Sequence, residues 1–140
     1  MSSSLPESSG LPESKRKVAF VRSLQHALRG VFFVLRTERN AQIEAVIALF
    51  AILLGIVLRI SAVEWAVIFT LIGLVLGLEF ANTALEAVVD LATSEYHPLA
   101  KIAKDSAAGA VLWVAVCSVV VGLFVFGPRL WRLLVVLVQR

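Results

Sequence analysis

The chain has 140 residues, of which 59% are hydrophobic and 16% charged, with a mean hydropathy of +0.91 and a net charge of +3. A soluble domain of this size carries roughly 45–50% apolar and about 25% charged residues, so the composition excludes a soluble globular domain and marks an all-α integral membrane protein. The single cysteine, Cys117, excludes an intrachain disulfide and a cysteine-built zinc site.

The first residues, MSSSLPESSGLPES, hold serine, proline and glutamate where a signal peptide carries a basic region and an apolar core. Residues 1–14 are expected to be a disordered tail, and the repeated LPES is a short low-complexity echo. Over 15–37, Phe20, Val21, Leu24, Leu28, Val31, Phe32 and Leu35 recur at helical spacing, while Arg22, Arg29 and Arg36 fall seven apart on the opposite side. A basic helix with an apolar, aromatic face suits a membrane surface bearing anionic headgroups.

Three spanning helices are expected next. AQIEAVIALFAILLGIVL (41–58) is about 27 Å long as a helix. A second apolar segment starts at Ala62 and stays helix-compatible to about residue 91. The third, AAGAVLWVAVCSVVVGLFVF (107–126), is expected to end at Gly127-Pro128. The tail RLWRLLVVLVQR either skims the interface or lengthens the third helix. Trp65 is expected to be an interfacial anchor, and Arg59 and Glu64 to belong to a solvated loop.

Seven Lys/Arg residues precede the first span, one (Arg59) lies between the first two, Lys101 and Lys104 lie between the last two, and three arginines lie in the C-terminal tail, fewer than the N-terminal cluster. The positive-inside rule then puts the N-terminus and the second loop in the cytoplasm. Nothing in this charge distribution asks for nucleic acid as a partner.

The second span carries polar residues at one end, in LGLEFANTALEAVVD (76–90). About 20 residues cross the hydrocarbon, so a helix entering at Ala62 reaches the far boundary near Asn82. Glu79 lies just inside that boundary, with Glu86 and Asp90 beyond it. At about 100° per residue, Glu79, Asn82, Glu86 and Asp90 share an arc of about 80°. Gly73, Gly77, Ala81 and Ala84 form a small-residue stripe roughly opposite, a pattern that lets another helix approach closely. Glu38, Glu44, Glu95, Tyr96, His97, Lys101, Lys104 and Asp105 collect at the same membrane face, where Pro98 suits the first turn of a helix.

Carboxylates without cysteine suit a hard cation such as Mg²⁺, which retains room for phosphate oxygens. A lysine nearby neutralises phosphate charge, and a partly desolvated glutamate can act as a base toward a hydroxyl. Phosphoryl transfer to a lipid alcohol fits this set. So do a proton-linked carrier using Glu79 and a purely structural membrane protein. No Walker A pattern, kinase glycine loop or dinucleotide fingerprint is present.

The stretch Glu79-Phe-Ala-Asn82-Thr-Ala-Leu-Glu86-Ala-Val-Val-Asp90, followed by Ser94-Glu95-Tyr96-His97 and Ala103-Lys104-Asp105, resembles the bacterial integral-membrane diacylglycerol kinase family. The likeness covers about residues 20–126. Thr37-Glu38-Arg39-Asn40 and the run from Glu95 to Asp105 look closest to its undecaprenol kinase branch. The resemblance implies a homotrimer of three-span subunits in the bacterial cytoplasmic membrane, with sites shared between subunits. The reaction it implies is ATP- and Mg²⁺-dependent phosphorylation of undecaprenol, or alternatively of diacylglycerol. By motif position, Glu79 would be the catalytic base and Glu38 and Glu86 would hold Mg²⁺. Glu38, Glu86, Glu95, Tyr96, His97, Lys104 and Asp105 would contact ATP, while Asn82 and Asp90 would support the site. His26 falls near a nucleotide-contacting position, and Arg22 is the candidate for a basic residue of the surface helix.

Overall fold

The computed structural model describes residues 13–139, which form four α-helices joined by short connections. Helix α1 runs Glu13–Thr37, α2 Arg39–Leu58, α3 Ala62–Ala92 and α4 Pro98–Val138. The tail expected over 1–14 lies outside the described residues except for Glu13 and Ser14, which are helical. The described chain has no strand, and by length and apolar composition all four helices, α1 included, suffice to cross a bilayer. This is a multi-pass membrane protein.

The chain divides into two units after Phe33. In the first, α1 presents Phe20, Leu24, Leu28 and Phe32 at helical spacing, all exposed. The second unit holds the last turn of α1 together with α2, α3 and α4. Within it α1 and α2 are separated by a break at Glu38, whose extended backbone (φ −94°, ψ 117°) stands at the N-cap of α2.

The α2–α3 connection is tight because both helices are capped by their own residues. Arg59 adopts a left-handed conformation (φ 48°) that ends α2, with Ile60 N–H donating to the Gly55 carbonyl and Arg59 N–H to that of Ile56. Two residues later Ser61 and Glu64 form a capping box: the Ser61 hydroxyl accepts from Glu64 N–H, and Glu64 Oε2 accepts from Ser61 N–H at 2.7 Å. At the other connection His97 caps α4, its Nδ1 accepting from Leu99 N–H, and Pro98 occupies the first helical position.

The packed core lies at the end of the bundle that holds the α2–α3 turn, here called the hairpin end. Ile60, Ile68, Val125 and Phe126 are buried there, with Leu54, Leu58, Trp65 and Val121 against them. Most other large apolar side chains are exposed on the helix exteriors, as expected where lipid rather than water surrounds the bundle. One sequence expectation changes here and another gains contacts. Trp65 stacks on Phe69 (centroids 5.5 Å apart) and lies over Gly55, at the tight turn. Glu64 is not solvated loop: both its oxygens receive the Arg129 guanidinium of α4, at 2.8 and 2.7 Å.

Nor does Gly127-Pro128 end the last helix, which continues to Val138. Proline has no N–H, so the Phe124 carbonyl four residues back loses its helical partner. One residue on, the Arg129 guanidinium donates to the Val125 carbonyl at 2.8 Å as well as to Glu64. That clamp ties the turn around the proline to α3.

Candidate functional site

The polar residues gather at the opposite end of the bundle, in two adjoining groups. The first lies where α2 begins and α3 passes it. Glu79 (3% exposed) and Asn82 (9%) are the buried polar residues of the described chain. A carboxylate in such a place is costly unless it is paired or hydrogen-bonded. Here Asn40 of α2 interacts with Glu79 favourably, while Glu38 and Glu86 act on it as like charges. Asn82 Nδ2 donates to Glu86 Oε1 at 3.0 Å, one turn along α3. That bond shows Asn82 and Glu86 on one side of α3, as the helical arc requires. Asn82 Oδ1 is buried without a hydrogen-bond partner. The Thr83 hydroxyl caps the Glu79 carbonyl at 3.1 Å.

The sequence reading gave Asn40 no role and left that of Glu44 open. They stand one turn apart on α2. Glu44 interacts electrostatically with Glu79 and has one buried oxygen, Oε2, without a hydrogen-bond partner. The signal available in the sequence was the i, i+4 spacing of two polar residues at the entrance of an otherwise apolar helix. Glu44 also lines an apolar groove of about 240 Å³ between α2, α3 and α4.

The second group surrounds an open cleft of about 450 Å³ between the end of α3 and the start of α4. Asp90, Glu95, Tyr96, His97, Lys101 and Lys104 are among its lining residues. The loop keeps its shape through Thr93, whose hydroxyl donates to the Glu95 carbonyl and accepts from Glu95 N–H. Lys104 Nζ meets Asp90 Oδ1 at 2.5 Å and ties the two helices together. Asp105 does not line the cleft. Its carboxylate pairs with Lys101 one turn back.

Glu38 stands at the N-cap of α2 without bonding the helix backbone, and its carboxylate accepts from the Thr37 hydroxyl at 3.4 Å. Among the described residues, no three acidic, imidazole or thiol groups converge closely enough to form a metal site within one chain. The available donors are all oxygens, however, and Asn82 Oδ1 is stranded beside the Glu86 carboxylate. That donor chemistry fits a hard divalent cation completed by phosphate oxygens and water.

Residues 25–126 match the family described as prokaryotic diacylglycerol kinase. The chain belongs to that family. Within the prokaryotic diacylglycerol kinases it is 49% identical over 111 residues to an undecaprenol kinase of Bacillus subtilis (strain 168), covering 79% of this chain and 90% of the relative. A diacylglycerol kinase of Synechocystis is 43% identical over 114 residues, 81% of this chain and 65% of the relative. The diacylglycerol kinase of Escherichia coli (strain K12) is 30% identical over 100 residues, 71% of this chain and 82% of the relative. Every site residue from Glu38 to Asp105 falls inside the family match, whereas the helical turns after Phe126 fall outside it.

Proposed function

We propose that the chain transfers the γ-phosphoryl group of ATP to the hydroxyl of a membrane lipid alcohol, undecaprenol in the first place and diacylglycerol in the second. The observation that carries this reading is Glu79. It is a buried carboxylate on an apolar helix, adjoined by three further carboxylates and an amide, and it lies about three turns along α3 from the lysine-bearing cleft at Asp90. The higher identity to an undecaprenol kinase than to the diacylglycerol kinases favours the first substrate.

In this mechanism Glu79 accepts the proton of the lipid hydroxyl as its oxygen bonds to the γ-phosphorus. The bond from that phosphorus to the bridging oxygen breaks, and ADP leaves with the electron pair. Asn40 orients the Glu79 carboxylate. Lys104 turns from Asp90 toward the nucleotide phosphates, and Glu95, Tyr96 and His97 form the wall beside them. Glu38 and Glu86 would hold Mg²⁺, with Asn82 positioning Glu86, and the ion would supply charge neutralisation at the phosphates. Asp105 contributes by orienting Lys101.

The site lies at the cytoplasmic face of the bacterial cytoplasmic membrane, with the N-terminus on the same side and α1 along the surface. The lysine and arginine distribution supports this orientation. The working unit is a homotrimer with shared sites. It is supported by the family resemblance and by the exposed Gly73–Gly77 stripe of α3, where an added Cβ meets nothing within 4 Å.

Purified protein in mixed micelles, given labelled ATP and each lipid in turn, should phosphorylate undecaprenol in preference to diacylglycerol. Transfer to neither lipid would end the kinase reading. Glu79→Gln should abolish transfer while assembly and ATP binding persist, and surviving turnover would remove Glu79 as the base.

A further inference from the structure

Helix α4 has 41 residues and is about 61 Å long, twice the roughly 30 Å thickness of a hydrocarbon core. Its last turns lie beyond the family match, and nothing in the proposed reaction uses them. Three observations say what surrounds them. The first is the clamp: Arg129 binds both oxygens of Glu64, in the first turn of α3, so this part of α4 is fixed at the hairpin end, remote from Glu79.

The second is helical phase. At about 100° per residue, Leu130, Leu134 and Leu137 continue the meridian of Leu112, Val116 and Leu123, the outward face of the span, while Arg129 and Arg132 lie on the other side. All six apolar residues are exposed, so one uninterrupted apolar face runs from the span into the extension. The third is the pair of tryptophans. Trp113 and Trp131 are 18 residues apart, which is five turns, so they share a meridian at about 27 Å separation. They are 72% and 69% exposed. Tryptophan collects at both boundaries of the hydrocarbon, and this separation matches its thickness.

We propose that Arg129–Val138 is a lipid anchor seated in the interfacial layer of the leaflet remote from the Glu79 site. Trp131 marks the boundary, the leucine face continues the lipid-facing surface of the span, and Arg132 meets the phosphates of anionic headgroups. Arg132 is exposed and has no acidic partner among the described residues. A second copy is the poorer occupant, because helices that associate in bilayers do so through small residues. The stretch from Pro128 to Val138 contains no glycine, alanine or serine. The proposal stands on the geometry of α4 and is independent of the kinase reading.

The full chain with Trp65→Phe and Trp113→Phe, reconstituted in phosphatidylcholine vesicles, leaves Trp131 as the sole emitter. Lipids brominated near the headgroup should quench it more than lipids brominated deep in the chain, and aqueous acrylamide should quench it weakly. Strong acrylamide quenching without bromolipid quenching would place the extension in water and overturn the proposal. A nitroxide at Leu134→Cys in a Cys117→Ser chain gives the same reading with all tryptophans intact. It should collide with oxygen more than with a water-soluble nickel chelate. Efficient disulfide formation between copies at position 134 would assign the face to a second subunit instead. In mixed vesicles, brominated phosphatidylglycerol should be enriched around Trp131 by about five-fold over brominated phosphatidylcholine, and Arg132→Gln should abolish the preference. Equal quenching by both lipids in the parent chain would overturn the headgroup assignment.

Discussion

Replacing Asn82 with alanine separates support of the site from support of the fold. Two contributions oppose each other. Asn82 Nδ2 donates to Glu86 Oε1 at 3.0 Å, and a hydrogen bond to a charged group contributes about 1.5–3 kcal/mol net. The same side chain buries Oδ1 without a partner, which costs about 1–3 kcal/mol. Alanine deletes both at once, and Glu86, only half-buried, keeps access to water. The two nearly cancel, so unfolding free energy should change by no more than about 1 kcal/mol. Turnover should fall on the order of 100-fold, because Glu86 loses the contact that fixes it. Stability is read from sodium dodecyl sulfate unfolding in mixed micelles, and turnover from labelled phosphate in the lipid. A stability loss above about 3 kcal/mol would show that Asn82 holds helices together. Undiminished turnover would refute its role in placing Glu86.

Gly55→Ala puts a Cβ 2.8 Å from Trp65 Cη2 and 3.0 Å from Ile60 Cδ1. The ring is stacked on Phe69 and has little room to yield, so the bundle should lose about 1–2 kcal/mol despite the better helix former, visible as a lower midpoint in the same unfolding assay. Arg59→Gly relieves a left-handed residue (φ 48°) and should raise that midpoint by the equivalent of about 1 kcal/mol. Lys104→Ala should raise KM for ATP roughly ten-fold through loss of a charge-assisted contact to phosphate, with a smaller effect on kcat in initial-rate measurements.

The helices were legible because bilayer thickness and hydrophobic run length leave few alternatives. The polar face of α3 was legible because helical spacing alone sets it. What the residues did not disclose came from contacts between helices. Glu64 and Arg129 are 65 positions apart, and no local pattern announces their pairing. Pro128 reads as a stop, yet the helix continues past it to Val138. Trp65 reads as a boundary residue, and only the fold of the tight turn gives it Phe69 and Gly55 as neighbours. Asp105 sits beside Lys104 in sequence and still faces Lys101, because i, i+4 neighbours on a helix meet and adjacent ones do not. Asn40 is a single amide beside an arginine, and only the passage of α3 gives it Glu79.

The packed core and the polar groups occupy opposite ends of the same three helices. Ile68 and Glu79 are separated by 11 residues of α3, about 16 Å. Near the turn, α3 and α4 are held by interlocked apolar side chains together with the Glu64–Arg129 pair. Near the loop they are joined by the Lys104–Asp90 ion pair, which water or an incoming polyanion can exchange. The pair of helices is therefore built like tweezers, riveted at one end and latched at the other. Backbone amides of Asp90–Ala103 should exchange with deuterium well before those around Ile68 and Val125, and salt should speed the former more than the latter.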